Sequence, residues 1–409
     1  MKFRFALPAL ALAALAACSP PTANQPEPEP APSLEERARA LALEHIVVDT
    51  HIDVPYRLEE EWQDVSEATA SGDFDYPRAV AGGLNAPSMS ISTHASREAE
   101  GRSRAVAEGL IDLVERIVAE SPDKFAIARS PADVRRQYEA GLISLPLGME
   151  NGSPIEGDLD TLRHFYERGI RYVTLAHSRS NHLSDSSYDD NKRWDGLSPF
   201  GEEVVREMNR LGMMIDVSHL SDAAFYDVME LTTAPVIASH SSARHFTPGW
   251  ERNMSDEMIV RLAGNGGLIM INYGSAFISE EARAYGSARG DAFDAWLEER
   301  GDEDSDALRD EFYALYAAEN GPYPYATLAQ VLDHFDHVVE LTGSVDYVGI
   351  GSDYDGVGDS LPVGLKDVST YPNLVAGLLE RGYDEDDIVK ILGGNLLRVW
   401  SEVEAAAGN

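Results

Sequence analysis

Six apolar runs in this chain close on a side chain able to bind a metal or move a proton. The first, Ile46–Val54, carries His51 and Asp53. Alternate residues of a strand share a face, so these two side chains aim into the same space. Imidazole nitrogen and carboxylate oxygen are both good zinc ligands. Glu150 follows in Gly148-Met149-Glu150-Asn151-Gly152, and His177 in Thr174-Leu175-Ala176-His177. His219 ends Asp216-Val217-Ser218-His219, His240 ends Ala238-Ser239-His240, and Asp353 ends Gly351-Ser352-Asp353. The glycines flanking Glu150 are expected to let the backbone turn sharply and leave its carboxylate unobstructed. Taken singly, each residue has a structural explanation. A strand-end His is often only hydrogen-bonded, a strand-end Asp often caps the next helix, and Ser239 and Ser242 would serve equally as caps. Jointly they have the composition of a two-metal hydrolase site. His51, Asp53, Glu150, His219 and His240 suffice for two zincs if Glu150 bridges, at the roughly 3.5–4 Å separation at which two ions share a hydroxide.

Such residues converge only if the elements bring their ends to one level. Eight apolar runs are visible: Ile46–Val54, Leu84–Ser92, Ile143–Met149, Arg171–Ala176, Met213–Val217, Val236–Ser239, Leu268–Asn272 and Tyr347–Gly351. Helical patterns lie between them, including Glu98–Ala119, Gly201–Leu211, Asp222–Leu231 and Asp256–Gly264. Strands alternating with helices pair in parallel, because parallel neighbours need a crossover. Eight such units predict an α/β fold of the (β/α)8 TIM-barrel type, in which catalytic residues sit at the carboxyl ends of the strands. The competing open doubly wound sheet would carry Gly-x-Gly-x-x-Gly after its first strand, and none is present. Residues 274–324, acidic and without a strand pattern, predict a helical insertion after the seventh strand. It reads as a solvated charged face, with a lid or an interface element as the alternative.

The ends and the composition bound the rest. Residues 1–17 form a charged start and a short apolar run, too short to span a bilayer. They lead to Cys18, the only cysteine, in Leu15-Ala16-Ala17-Cys18. This resembles a bacterial lipoprotein signal with Cys18 as the lipidated residue; an ordinary secretory signal with an incidental cysteine is the alternative. Ser19 after it resembles outer-membrane sorting. Residues 18–33 are a Pro-rich spacer that favours extended conformations and buries no core. Ser33 and Glu36 have the spacing of a capping box opening a helix through about Leu43. Residues 34–409 are read as one barrel domain. The net charge of −37, from 33 basic and 70 acidic residues, argues against a nucleic-acid partner and against attachment to anionic lipid by charge. A single cysteine excludes any disulfide within the chain.

The chain resembles the membrane dipeptidases, the renal dipeptidase-like M19 peptidases of the amidohydrolase superfamily. The likeness runs from about Glu44 to Val403. Its matching stretches are Val48–Asp53, Gly148–Gly152, Arg171–His177, Gly196–Gly201, Asp216–His219, Ser239–Ala243, Gly351–Gly356 and Gly394–Trp400. The resemblance implies a barrel of the metal-dependent hydrolase type, two zincs per chain and a dipeptide substrate. By position, His51 and Asp53 would bind one zinc, His219 and His240 the other, and Glu150 would bridge. His177 would lie at the scissile carbonyl and stabilise the oxyanion. Asp353 would handle the proton. Arg252 would pair with the substrate's terminal carboxylate, although its stretch is about one residue longer than the family pattern and Arg244 competes for that role. Many amidohydrolases bridge their metals with a carboxylated Lys on strand four; Arg171–His177 has none. Dimers are common in the family.

The implied chemistry is peptide hydrolysis by a hydroxide shared between two zincs, with Asp353 passing the proton to the leaving amine. A carboxylate-matched Arg252 would favour short substrates with a free C-terminus. Two other readings compete: a related amidohydrolase acting on a β-lactam or an N-acyl amino acid, and a non-catalytic peptide-binding lipoprotein, which would need a lost ligand. The expected location is membrane-anchored through lipid, facing the periplasm, at the outer membrane.

Overall fold

Short runs rich in Val, Ile, Leu and Met, separated by helices, have one way to bury both faces: a parallel sheet covered by its own crossovers. In the computed structural model, which describes residues 32–408 apart from the side chain of Asp306, eight strands do this. They are β1 (Val47–Ile52), β2 (Leu84–Ser92), β3 (Leu147–Glu150), β4 (Ile170–Thr174), β5 (Met214–Asp216), β6 (Ile237–Ala238), β7 (Leu268–Ile271) and β8 (Val348–Ile350). They pair in that order and in parallel. β1 meets the segment after β8 through a bridge between Ile52 and Tyr354. Two backbone bonds reinforce it, Asp353 N to His51 O (3.0 Å) and Asp53 N to Tyr354 O (2.9 Å). The result is a (β/α)8 TIM barrel, joined first strand to last at its carboxyl end.

Register sets the height of the functional residues. Ser92 lies opposite Glu150, Glu150 opposite Thr174, and Thr174 opposite Asp216. Residues just beyond these positions, His177 and His219, therefore leave the sheet at the level of Glu150. At the other end Val48, Ala86, Tyr172, Met214, Ile237 and Met270 cluster with Leu396, Leu397 and Trp400 of the closing helix Asn395–Ala406. Each such fully buried large apolar side chain is worth about 1.5–3 kcal/mol. The outer helices begin on side-chain caps: Ser198 accepts from Gly201 N, Ser221 from Ala224 N and Ser255 from Met258 N.

Three sequence expectations change. The run Ile143–Met149 is two strands, not one. Ile143–Leu145 pairs with Phe125–Ile127 in a separate two-stranded sheet, and the barrel strand starts at Leu147. Pro146, with no N–H for a ladder, stands at the break. The stretch Glu98–Ala119 is also interrupted, into Ser96–Ala99 and Ser103–Glu120, at Gly101 with φ of 65°. Gly148 does not make a turn; a Cβ there would fall on the Tyr172 ring. The turn after Glu150 is made by Asn151, with φ of 74°.

The insertion after β7 is helical: Ser275–Ile278, Glu280–Arg300 and Asp306–Asn320. Its two long helices carry their own apolar cluster, Phe293, Leu297 and Phe312 with Trp296, Tyr313 and Tyr316 packed around it. It is therefore more than a solvated face. Residues 1–17, Cys18 and the spacer up to residue 31 lie outside the described residues. Leu34–Asn409 forms one unit. Among the described residues no helix is long and apolar enough to cross a membrane.

Candidate metal centre

The ends of β1, β3, β5 and β6 bring His51, Glu150, His219 and His240 together, with Asp53 and Asp353 beside them. Glu150 is central and its two oxygens face different partners. Oε1 lies 3.2 Å from His219 Nε2, 3.3 Å from His240 Nε2 and 3.5 Å from His177 Nε2. Oε2 lies 3.5 Å from His51 Nε2 and accepts a hydrogen bond from Ser90 Oγ at 3.3 Å. His51 Nε2 is also 3.5 Å from Asp53 Oδ2. His219 Nε2 and His240 Nε2 are 2.8 Å apart. Candidate ligand atoms of His51, Asp53 and Asp353 lie within 4.8 Å of one another, as do those of His51, Glu150 and His240, and those of Glu150, His177 and His219. All but His177 are buried.

Neighbouring side chains aim these donors. The Tyr172 hydroxyl donates to Thr50 O (2.9 Å) and so accepts from His51 Nδ1 (3.0 Å). That turns the Nε2 of His51 toward the two carboxylates, where this buried nitrogen has no hydrogen-bond partner. Gly148 leaves the space through which the Tyr172 ring reaches it. On the other side, Ser239 Oγ donates to Asp216 Oδ2 (2.6 Å) and accepts from His240 Nδ1 (2.7 Å). Asp216 also accepts from the Thr174 hydroxyl and from Ser218 N and Ser239 N. His219 Nδ1 is buried without a partner. Of the candidate site residues, His219 with φ of 67° and Asp353 with φ of 64° adopt left-handed backbone. Such strain concentrates at sites where the surrounding structure over-determines the geometry.

The electrostatics match cation binding. Burial opposes the Glu150 charge, but His177, His51, His219 and His240 outweigh it and hold the carboxyl well below its usual range. Burial keeps His219 and His240 neutral, far below the ordinary imidazole value, so their lone pairs are available. At His51 burial is outweighed by Tyr172, Glu150 and Asp53, which push it well above that value. The field there favours a positive charge, whether proton or metal. Burial pushes Asp353 up to about 7, with His51 opposing and Asp53 and Glu150 adding to the rise. Asn272 Nδ2 donates to Asp353 Oδ2 at 2.8 Å. This donor set fits divalent metal: an orphaned imidazole nitrogen, a shared carboxylate and two neutral histidines, with the other ring nitrogen of His51 and His240 anchored.

The centre opens on a cavity of about 1290 Å³ lined by Asp53, Glu150, His177, His219 and Asp353, and by Tyr56, His94, Arg179, Tyr188, Arg193 and Phe277. Arg252 is buried beside it. Its Nη1 donates to Ser241 Oγ and its Nη2 to His240 O, each at 2.8 Å. Its Nε has no partner. Arg244 is committed elsewhere. Its guanidinium grips Asp222 through both Nη atoms, at 2.7 and 2.5 Å, and reaches Asn253 O through Nε. Sequence reasoning missed Tyr172, Asp216 and Asn272. Asn272 alone carried a signal, as a polar residue at the end of an apolar run.

Comparison with known proteins places this geometry. The model of the membrane dipeptidases, peptidase family M19, matches residues 35–409. An uncharacterized dipeptidase of Schizosaccharomyces pombe is 31% identical over 386 residues, covering 90% of this chain and 84% of that protein. Dipeptidase aclJ of Aspergillus oryzae is 36% identical over 343 residues, covering 82% and 71%. Among solved structures, the probable dipeptidase PvdM of Pseudomonas aeruginosa superposes with a TM-score of 0.76 at 27% identity, over 91% of this chain and 99% of that one. A metallo peptidase of Rhodobacter sphaeroides, bound to a phosphinate mimic of the dipeptide L-Ala-D-Ala, gives 0.71 at 25% identity, over 88% and 99%.

Proposed function

The chain belongs to the membrane dipeptidase family, peptidase family M19, and as a metal-dependent dipeptidase of that family it is a hydrolase; from this we propose that it uses two zinc ions to cleave dipeptides with a free C-terminal carboxylate. The observation that carries the reading is Glu150, whose Oε1 faces His219 and His240 while its Oε2 faces His51. A carboxylate so placed serves two ions. His51 and Asp53 would hold one, His219 and His240 the other, and Glu150 would contact both. When bound, the pair supplies a nucleophilic hydroxide near neutral pH and polarises the scissile carbonyl.

The remaining work falls to this chain's own side chains. Asp353, held by Asn272, accepts the proton of the nucleophile and passes it to the leaving amine. His177, at the cavity wall 3.5 Å from Glu150 Oε1, orients the carbonyl and stabilises the developing oxyanion. Arg252 takes the substrate carboxylate, using its unpartnered Nε and N–H groups left over from its two bonds. Arg244 is assigned no part, because Asp222 occupies it.

Metal counting on the purified protein tests this. Zinc near two per chain is expected, with turnover lost on chelation, restored by zinc, and abolished in His219→Ala. One zinc per chain at full activity overturns the bridged pair. Faster turnover of N-acyl amino acids or β-lactams than of any dipeptide overturns the substrate.

The N-terminal reading is also a proposal, supported by the Leu15-Ala16-Ala17-Cys18 run and the Pro-rich spacer. Cys18 is lipidated and tethers the domain to the outer membrane, facing the periplasm. Labelled palmitate incorporated by the full chain and lost in Cys18→Ser is the expected result, and equal labelling of both overturns it. A homodimer, common in the family, would be read by sedimentation.

A further inference from the structure

We propose that His245, Asp256 and His337 form a second, separate metal site for a first-row divalent cation, between two outer helices of the barrel. His245 lies in the turn Arg244–Phe246, a few residues after β6 (Ile237–Ala238) and His240. Asp256 opens the helix Asp256–Gly264, and His337 lies on the helix Leu328–Thr342 that leads to β8. None of the three lines the cavity at the mouth.

The donors converge. Ligand atoms of all three residues lie within 4.8 Å of one another. His337 Nε2 and Asp256 Oδ1 are 2.8 Å apart. The His245 ring stacks on that of His337, centroids 4.4 Å apart and planes 29° apart. Two imidazoles and one carboxylate suit copper, nickel or zinc, and the Irving–Williams order puts Cu²⁺ tightest. The ion takes the place of the hydrogen between His337 Nε2 and Asp256, the imidazole proton moving to the other ring nitrogen. His245 is exposed and the other two are partly so. Water can therefore complete the coordination.

The site is held rather than incidental. Phe246 packs against His245 at 4.9 Å, His337 at 5.6 Å and His334 at 4.4 Å. His334 is itself fixed at both ring nitrogens, accepting from Ala243 N and donating to Ile278 O, each at 3.1 Å. Packing that locks the donors lowers the ordering cost of binding. An ion here would tie together the segments that follow β6 and precede β7 and β8. The site stands whether or not the mouth holds two zincs.

Copper titration of the metal-loaded enzyme tests this, followed by calorimetry and by the nitrogen hyperfine pattern in electron paramagnetic resonance. The expected result is one further Cu²⁺ per chain with two imidazole nitrogens. His337→Ala and His245→Ala each remove a ligand and should each weaken it by at least the roughly 10–100-fold that loss of a ligand's supporting partner costs. Asp256→Asn should weaken it less. Dipeptide turnover should stay at the wild-type level in all three with cooperative melting retained, and substitution of His45, which follows the first helix Leu34–Glu44 outside this cluster, by Ala should leave the titration unchanged. Absence of the extra ion, or an extra ion that survives both histidine substitutions, overturns the proposal.

Discussion

Two buried clusters stand apart from the main core and are built on opposite terms. At the barrel mouth, polar and ionisable groups are packed together against their desolvation cost: Glu150, His51, His219, His240, Asp53 and Asp353. In the insertion, Phe293, Leu297 and Phe312 gather because burying them is favourable in itself. The mouth needs outside help to exist. Tyr172, Asp216, Ser239 and Asn272 each spend their hydrogen bonds holding a donor in place. The insertion needs only a helical repeat of large side chains. One region is expensive and exact, the other cheap and tolerant, and substitutions in each should read out differently.

The sharpest break is at Asp353. Asp353→Asn keeps the Asn272 contact within reach of an isostere but removes the carboxylate proposed to carry the proton, and kcat should fall by about 10²–10⁴ with KM little changed. An activity within tenfold of wild type would move the proton step elsewhere. Phe312→Ala should do the reverse: a loss of about 3 kcal/mol in thermal or denaturant stability of the insertion, with kcat/KM within twofold. A large kinetic effect there would make the insertion part of the active site. Tyr172→Phe is subtler, removing one hydroxyl and no volume to speak of. Affinity for the metal at the mouth should drop by about 10–100-fold, measured by competition with a chelator, while the fold is retained.

The smallest effect separates a charge held for chemistry from one held for stability. Glu207 on the outer helix Pro199–Leu211 is gripped by Arg210 and Arg163 at 2.6–2.7 Å. Arg210, ahead of the opposing burial, lowers its carboxyl from 4.5 to about 2. A depressed folded-state value stabilises above the unfolded value and is lost as pH falls through the folded one. Wild type should therefore exceed Glu207→Gln by about 1–2 kcal/mol above pH 5. The gap should close between pH 4.5 and 2, as followed by urea melts. A gap that does not change with pH would assign the difference to packing.

The same contrast explains what was legible in the sequence. Strand-end His51, Glu150, His219, His240 and Asp353 announced themselves because few residue types can do their chemistry and all lay at ends of apolar runs. Tyr172 and Asp216 did not, because a tyrosine or aspartate within a strand has many ordinary uses. Their roles depend on which strands become neighbours. Gly148 was read as a turn when its work is to admit the Tyr172 ring, a contact between β3 and β4 that no local pattern encodes. Pro146 carried a visible strand-breaking signal in an otherwise continuous apolar run. The insertion's helices were legible from composition, but its aromatic cluster was hidden by the acidic surface that surrounds it.

The bonds joining β1 to the segment after β8 have a consequence for how the enzyme is made. His51 O and Asp53 N meet Asp353 N and Tyr354 O across some three hundred residues of chain. Loop closure over such a span comes late and slowly in folding. Half of the centre is synthesised long before its other half, and the two meet only when the last strand docks. A chain stalled or trimmed before Asp353 lacks both that carboxylate and the seam that positions His51. Ions captured at the mouth then favour the zipped ring by mass action. The first strand's His51 and Asp53 are thus locked in place by backbone that is made only when the chain has reached Tyr354.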